Sequence, residues 1–233
     1  MCGRYTLICE LDDLIAEFGI DFATGFSPRY NIAPTQYAPI VRSMAGEIRL
    51  DNLRWGLIPS WSKDAAIGPR LINARSETAD SKPSFRSAFR SRRCITPASG
   101  FYEWKKTTGK RKQPYWIHPE NDGPMAFAGL WESWNDEGGR AVETFTILTT
   151  GPNDTMASLH DRMPALLEFD DYATWLDPGV TDVVALKSLL RPWRSTPLAL
   201  TPVSARVNNV RNDDASLIVE SSIDSDTEPG MLF

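Results

Sequence analysis

Behind Met1 the chain begins Cys2-Gly3-Arg4-Tyr5. Once the initiator methionine is removed, a cysteine in second position carries a free α-amine and a thiol on adjacent carbons, the most reactive arrangement a chain terminus offers. Other stretches hold polar residues that a core does not ask for. Residues 28–36 place Arg29 and Asn31 beside two prolines, and residues 71–78 place Asn73, Arg75 and Glu77 at alternate positions. In an extended chain that alternation presents all three on one face. Glu103 lies between Tyr102 and Trp104, and His160, Asp161 and Arg162 stand just before Met163-Pro164. Each also has a plain reading. Cys2 can be a small apolar residue near an end, Asn73 and Arg75 a hydrogen-bonded strand edge, Glu103 the outward residue of an alternating strand, and His160 a local cap.

The elements that must position these residues follow from the patterning. "ELDDLIAEFG" (10–19) carries Leu11, Leu14, Ile15 and Phe18 at helical spacing and ends on glycine. Residues 36–42 and 47–58 read as strands joined by a turn at Ala45-Gly46. A short basic helix is expected over 84–92, then one extended run over 94–106 and a turn at 107–113. Residues 114–118, 125–134 and 143–150 are rich in aromatic and β-branched residues and read as strands. Helices are expected at 170–176 and 182–190, and a strand at 197–204. The sum is an α+β protein with mixed or antiparallel sheets curling around a core, without the βαβ alternation of a doubly wound fold.

The chain has 233 residues, enough for a substantial core. No apolar run approaches the ~18 residues of a membrane span, and the start has no secretory pattern, so a cytoplasmic location is expected. Three cysteines (Cys2, Cys9, Cys94), no C-x-x-C pair and only His118 and His160 argue against a disulfide scaffold and a structural zinc site. Net charge is −5, but it is unevenly spread. Residues 70–112 hold twelve Lys/Arg against Glu77, Asp80 and Glu103, a local +9, and the remainder carries −14. That asymmetry fits either a polyanion-binding track or a solvated basic face. From Asp213 onward there are six acids and no base, read as running into a disordered acidic tail.

Six segments, "MCGRY", "RYNIAPTQ", "RWGLIPSW", "INARSET", "SGFYEW" and "HDRMP", stand in the order and spacing of one family. The chain resembles the SOS response-associated peptidase (SRAP) family, whose members are also called abasic site processing proteins, from Cys2 to about Ile218. The resemblance implies a single SRAP-type domain over 1–221, its sheets curled into a barrel-like core flanked by helices, with 222–233 as the acidic tail. It also implies capture of abasic sites in single-stranded DNA. An abasic sugar opens to an aldehyde. The Cys2 amine adds to it and gives a Schiff base, and the thiol then closes a thiazolidine ring. A lysine can do only the first step. An α-amine, with a pKa of about 7.7–8.0, is partly neutral near pH 7 where a lysine is not. Gly3 leaves room for the sugar.

By the same resemblance the catalytic set is Cys2, Asn73, Glu103 and His160. Glu103 is the general acid/base; His160 protonates the opened sugar oxygen or assists loss of the 3′ phosphate, implying weak lyase activity; Asn73 holds Cys2 or the sugar. Arg4, Arg75, Arg162 and Thr149 are expected against DNA, with Pro34, Trp61 and Phe85 stacking on or wedging against bases. No cofactor or metal is implied, and a monomer acting on single-stranded DNA is expected. Three other readings stay open: a thiol autopeptidase using Cys2, Glu103 and His160; a non-covalent single-strand-binding module; and a scavenger of small aldehydes.

Overall fold

The computed structural model describes residues 2–107, 111–121 and 123–221, so the expected tail at 222–233 lies outside the described residues. In chain order these residues form β1 (Tyr5–Leu7), α1 (Leu11–Phe18), β2 (Phe22–Ala23), β3 (Arg29–Ile32), β4 (Tyr37–Met44), β5 (Glu47–Trp55), β6 (Asn73–Arg75) and α2 (Arg86–Ser91). There follow β7 (Arg93–Ala98), β8 (Gly100–Lys106), β9 (Lys112–Pro119), β10 (Met125–Asn135), β11 (Ala141–Thr150), α3 (Asp154–Ala157), β12 (Met163–Pro164), α4 (Tyr172–Leu176), α5 (Val183–Ser188) and β13 (Leu198–Pro202).

The centre is a closed ring of five strands. β11, β10, β7, β4 and β5 pair in that order, and β5 then pairs back to β11. The closing contact is parallel and short, Arg54 opposite Thr144 and Trp55 opposite Phe145. The remaining ring pairs are antiparallel. Ala45 and Gly46, both with positive φ, make the two-residue turn between β4 and β5 that right-twisted hairpins favour. Trp55 stacks on Phe145 at 6.2 Å, and Tyr5 meets Trp55 edge-on at 5.3 Å. The fold is therefore α+β with a closed mixed barrel, in the class expected from the sequence.

A second sheet, ordered β13-β9-β8-β1-β3, is antiparallel throughout. One face joins the barrel core, with Phe101 edge-on to Phe127 at 5.9 Å. The other face carries a separate apolar cluster of Tyr102, Trp116, Val203, Val207 and Leu217.

The extended run expected over 94–106 is two strands in two different sheets. The break falls at Ser99, whose N–H is held by the Thr6 carbonyl at 2.8 Å. Gly100 then passes where no side chain fits: a Cβ there would strike the Trp116 indole nitrogen and lie 2.7 Å from the Ile117 carbonyl oxygen.

The basic stretch 70–112 is likewise divided. Arg93 is buried and donates to the carbonyls of Trp175, Phe89, Arg90, Val180 and Asp177. Arg92 pairs with Glu132 at 2.8 Å. Arg70, Arg75, Lys82, Arg86 and Arg90 are exposed, as are Lys105, Lys106, Arg111 and Lys112 on the β8–β9 hairpin. Among the described residues, no helix is long and apolar enough to cross a membrane.

Candidate active site

Strand β1 lies between β8 and β3, with Tyr5 opposite both Phe101 and Ile32. The residues just before it, 2–4, are drawn onto the protein with it. The Arg4 carbonyl accepts the Tyr102 N–H at 2.9 Å, and the Cys2 thiol lies 4.0 Å from the same oxygen. Strand alternation then decides where Glu103 goes. Tyr102 and Trp104 point into the outer cluster, so Glu103 shares the inner face with Phe101. Glu103 is 5% exposed and its charge acts on the Cys2 thiol. It is not the outward residue of an alternating strand.

Asn73 arrives from a distant part of the chain. β6 runs parallel to β11, with Asn73, Ala74 and Arg75 opposite Ile147, Leu148 and Thr149. Ala74 packs inward while Asn73 and Arg75 take the other face, and the Asn73 Nδ2 donates to the Cys2 carbonyl at 2.7 Å. Asn73 Oδ1 is buried with no protein partner among the described residues. The alternation does not extend to Glu77, because the strand ends at Arg75. Ser76 N–H still bonds to the Thr149 carbonyl (2.9 Å), then Thr78 N–H folds back to the Arg75 carbonyl (3.1 Å) and turns the chain.

β12 borders the other edge of β11, with Pro164 opposite Thr149. The loop before it carries His160 and Arg162. Asn153 caps α3 by accepting the Met156 N–H at 2.9 Å, and the His160 N–H closes the turn onto the Met156 carbonyl at 2.9 Å. His160 Nδ1 accepts the Arg162 N–H at 3.0 Å and lies 2.8 Å from Asp161 Oδ1. The first contact uses Nδ1 as an acceptor, and the second needs a proton on Nδ1, so the tautomer decides which is made. Arg162 fills its fork with Glu77, at 2.6 and 2.9 Å, and with the Thr149 carbonyl at 2.5 Å. Thr149 is buried and its hydroxyl donates to the Ala74 carbonyl at 3.5 Å.

Burial raises the Cys2 thiol to about 12, with Glu103 the second cause. The thiol is therefore held neutral, the opposite of what a thiolate nucleophile needs. Among the described residues, no group of three His, Cys, Asp or Glu could hold a metal ion.

The remaining residues expected against DNA are spread more widely. Arg75 is exposed and Arg4 half-buried. Arg4 is already engaged by Asn31 and Val207, a pairing across 27 and 203 residues that no sequence pattern announces. Pro34 is half-buried beside Thr35, whose φ is positive. Trp61 is 59% exposed, with its indole N–H on the Pro83 carbonyl at 3.3 Å. It lines a cleft of about 500 Å³ with Lys63, Asp64, Ile67 and Arg70. Phe85 is 5% exposed and belongs to the core cluster, so its ring is not open to a base. The spacing of Phe85, Ala88 and Phe89 is the apolar stripe of a short helix, and that signal was present in the sequence.

A barrel with a second sheet that sets a buried second-position cysteine against an asparagine and a glutamate, with a histidine-bearing loop leading into β12 at the other edge of β11, defines a class. Residues 1–210 match the family described as SOS response associated peptidase (SRAP), and the chain belongs to that family. It is similar to abasic site processing protein YoqW of Bacillus subtilis (strain 168), 45% identical over 221 residues that cover 94% of this chain and 99% of that one. It is also similar to abasic site processing protein HMCES of Gallus gallus, 33% identical over 83% of this chain and 66% of that one. An X-ray structure of a protein from Bacteroides thetaiotaomicron matches with a TM-score of 0.84 at 26% identity, over 94% of this chain and 100% of that one.

Proposed function

We propose that this protein processes abasic sites in single-stranded DNA by forming a covalent adduct through Cys2 after loss of Met1, shielding the lesion. The observation that carries the reading is the hydrogen bond from Asn73 Nδ2 to the Cys2 carbonyl, 2.7 Å, beside a buried Glu103. Relatives across bacteria and vertebrates carry the name abasic site processing protein.

The chemistry balances without an oxidant or reductant. The neutral α-amine adds to the aldehyde carbon, and the carbinolamine loses water to give an imine. The thiol then adds across the C=N bond, its proton passing to nitrogen, and a five-membered thiazolidine results. Glu103 moves the protons of the carbinolamine step, and a neutral thiol suits a ring closure that follows imine formation. Asn73 Oδ1 accepts a hydrogen from the amine or the opened sugar. His160 serves the sugar oxygen or the 3′ leaving phosphate, which gives weak lyase activity from the imine stage. Arg75, Arg4 and Arg162 hold flanking phosphates, Trp61 and Pro34 meet the bases, and the exposed part of the basic stretch tracks the backbone.

The thiol-peptidase reading is disfavoured by the raised thiol pKa. Incubation with an abasic single-stranded oligonucleotide is expected to give a species that survives denaturing gels. Cys2→Ala abolishes the stable adduct, and so does retention of Met1. Wild-type protein that yields no adduct overturns the covalent reading. A Cys2→Ala variant with unchanged protection of DNA favours a non-covalent binding module, and efficient reaction with small aldehydes but not DNA favours a scavenger.

A further inference from the structure

Arg4 is held at both ends. Its carbonyl is fixed by the Tyr102 N–H, and its Nη1 donates to Asn31 Oδ1 and to the Val207 carbonyl, both at 2.8 Å. Asn31 is fully buried. Its Nδ2 faces three carbonyls of one loop, Asn212 at 2.7 Å and Val207 and Asn209 at 3.2 Å. The amide can be oriented only one way, since its oxygen must face the guanidinium and its NH₂ the carbonyls. The same loop, 205–214, is tied to neighbouring strands twice more. The Asp213 carboxylate accepts from the Arg29 side chain and from the Tyr30 N–H at 2.5 Å. Asn208 Oδ1 accepts the indole N–H of Trp104, the residue after Glu103, at 2.8 Å. One late loop thus grips Arg4, just before β1, together with β3 and with β8, the strand that carries Glu103.

We propose that Asn31 is a positioning residue for the reactive terminus: through Arg4 it hangs residues 2–4 on the loop 205–214 and sets where the Cys2 amine and thiol meet the aldehyde carbon. This rests on the reading of Cys2 as the capturing residue. Residues 2–4 are outside any strand. Their ties are the Asn73 bond at Cys2, the Tyr102 bond at the Arg4 backbone, and the Asn31–Val207 grip on the Arg4 side chain. The side-chain grip is the tie through which a residue remote from the aldehyde governs the approach of the amine. Its loss lowers the rate of bond formation more than the affinity for DNA, because attack depends on sub-ångström placement and phosphate contacts do not.

The test is single-turnover adduct formation with an abasic single-stranded oligonucleotide across a range of DNA concentrations. Asn31→Ala is expected to lower the maximal rate constant about 10- to 100-fold while the half-saturating DNA concentration shifts less than about threefold. Arg4→Gln, at a half-buried surface position, is expected to lower the maximal rate as well. The double variant should lose no more than Arg4→Gln alone, because the two residues act as a unit. Asn31→Ser, a milder change at the same site and measured well below its melting temperature, is expected to show the same coupling to Arg4. A full maximal rate in Asn31→Ala or Asn31→Ser, or additive losses in the double variant, overturns the proposal while leaving the covalent chemistry standing. Wild-type protein that forms no adduct overturns the underlying reading instead.

Discussion

Arg162 and Glu77 form a two-pronged ion pair, 2.6 and 2.9 Å, that joins the turn after β6 to the loop before β12. The pair lies across the end of β11, where Thr149 also accepts from Arg162. Glu77 thus occupies the fork that the family resemblance reserves for a DNA phosphate, in the geometry that a phosphate would adopt.

Glu77→Gln is therefore expected to strengthen non-covalent binding of single-stranded DNA and to steepen its salt dependence by up to about one unit of log–log slope. Fluorescence anisotropy with a tetrahydrofuran-containing oligonucleotide at several salt concentrations checks this. Weaker binding in the variant would show instead that the pair braces the His160 loop.

The same pair predicts a pH effect. The hydrogen bond from Arg162 is the largest cause holding the Glu77 carboxyl below its ordinary range. A carboxyl depressed in the folded state contributes stability above its unfolded pKa, and that contribution is lost as pH falls through the lower folded value. Melting temperature should fall on the acid side of about pH 4, and Glu77→Gln should flatten that limb. The effect is modest because Glu77 is half exposed.

Thiol reactivity separates the cysteines. With Cys2 raised from 9.0 to about 12, its thiolate fraction near neutral pH falls about a thousandfold below that of an unperturbed thiol. Cys94 is buried and shifted upward as well; Cys9 is also raised by burial but is only partly buried. Iodoacetamide at pH 8 should label Cys9 first in native protein and reach Cys2 and Cys94 only on denaturation, as read by peptide mass spectrometry. Rapid labelling of native Cys2 would revive the thiolate peptidase reading.

Two aromatic and two basic residues should behave in opposite ways. Phe85→Ala is expected to cost about 3–5 kcal/mol of stability by opening a core cavity. Trp61→Ala should leave melting unchanged and weaken DNA binding by about 1–3 kcal/mol. Arg93→Met should destabilise, because five carbonyls lose their donor. Arg90→Ala should leave stability intact and lower the salt slope by about one. Paired denaturation and anisotropy measurements distinguish the four.

What the sequence revealed depended on contrast. Asn73, Glu103 and His160 stand out as polar residues that a core does not ask for, and the long strands β4, β5, β10 and β11 were legible from their aromatic and β-branched content and the turn signal between β4 and β5. β1 and β6, three residues each, are too short to show a period, yet they carry the ends of the site. Ser99, where one extended run changes sheets, reads like any strand residue. The basic run gave no hint that Arg93 serves the interior, because charge counts do not distinguish a solvated guanidinium from one saturated by carbonyls. Glu77 was placed by alternation on a strand that ends two residues earlier, and it still reaches Arg162 by way of a turn.

The parallel seam between β5 and β11 has a consequence for the order of folding. Two residue pairs close the barrel, joining positions about ninety residues apart, Arg54 with Thr144 and Trp55 with Phe145. Such a contact carries a large loop-closure entropy and forms after the local hairpins. β6 docks on β11 in the same parallel sense just beyond the seam, so the contact from Asn73 to Cys2 depends on another long-range pairing. During refolding, hairpin structure should return first and the contact between Asn73 and Cys2 late.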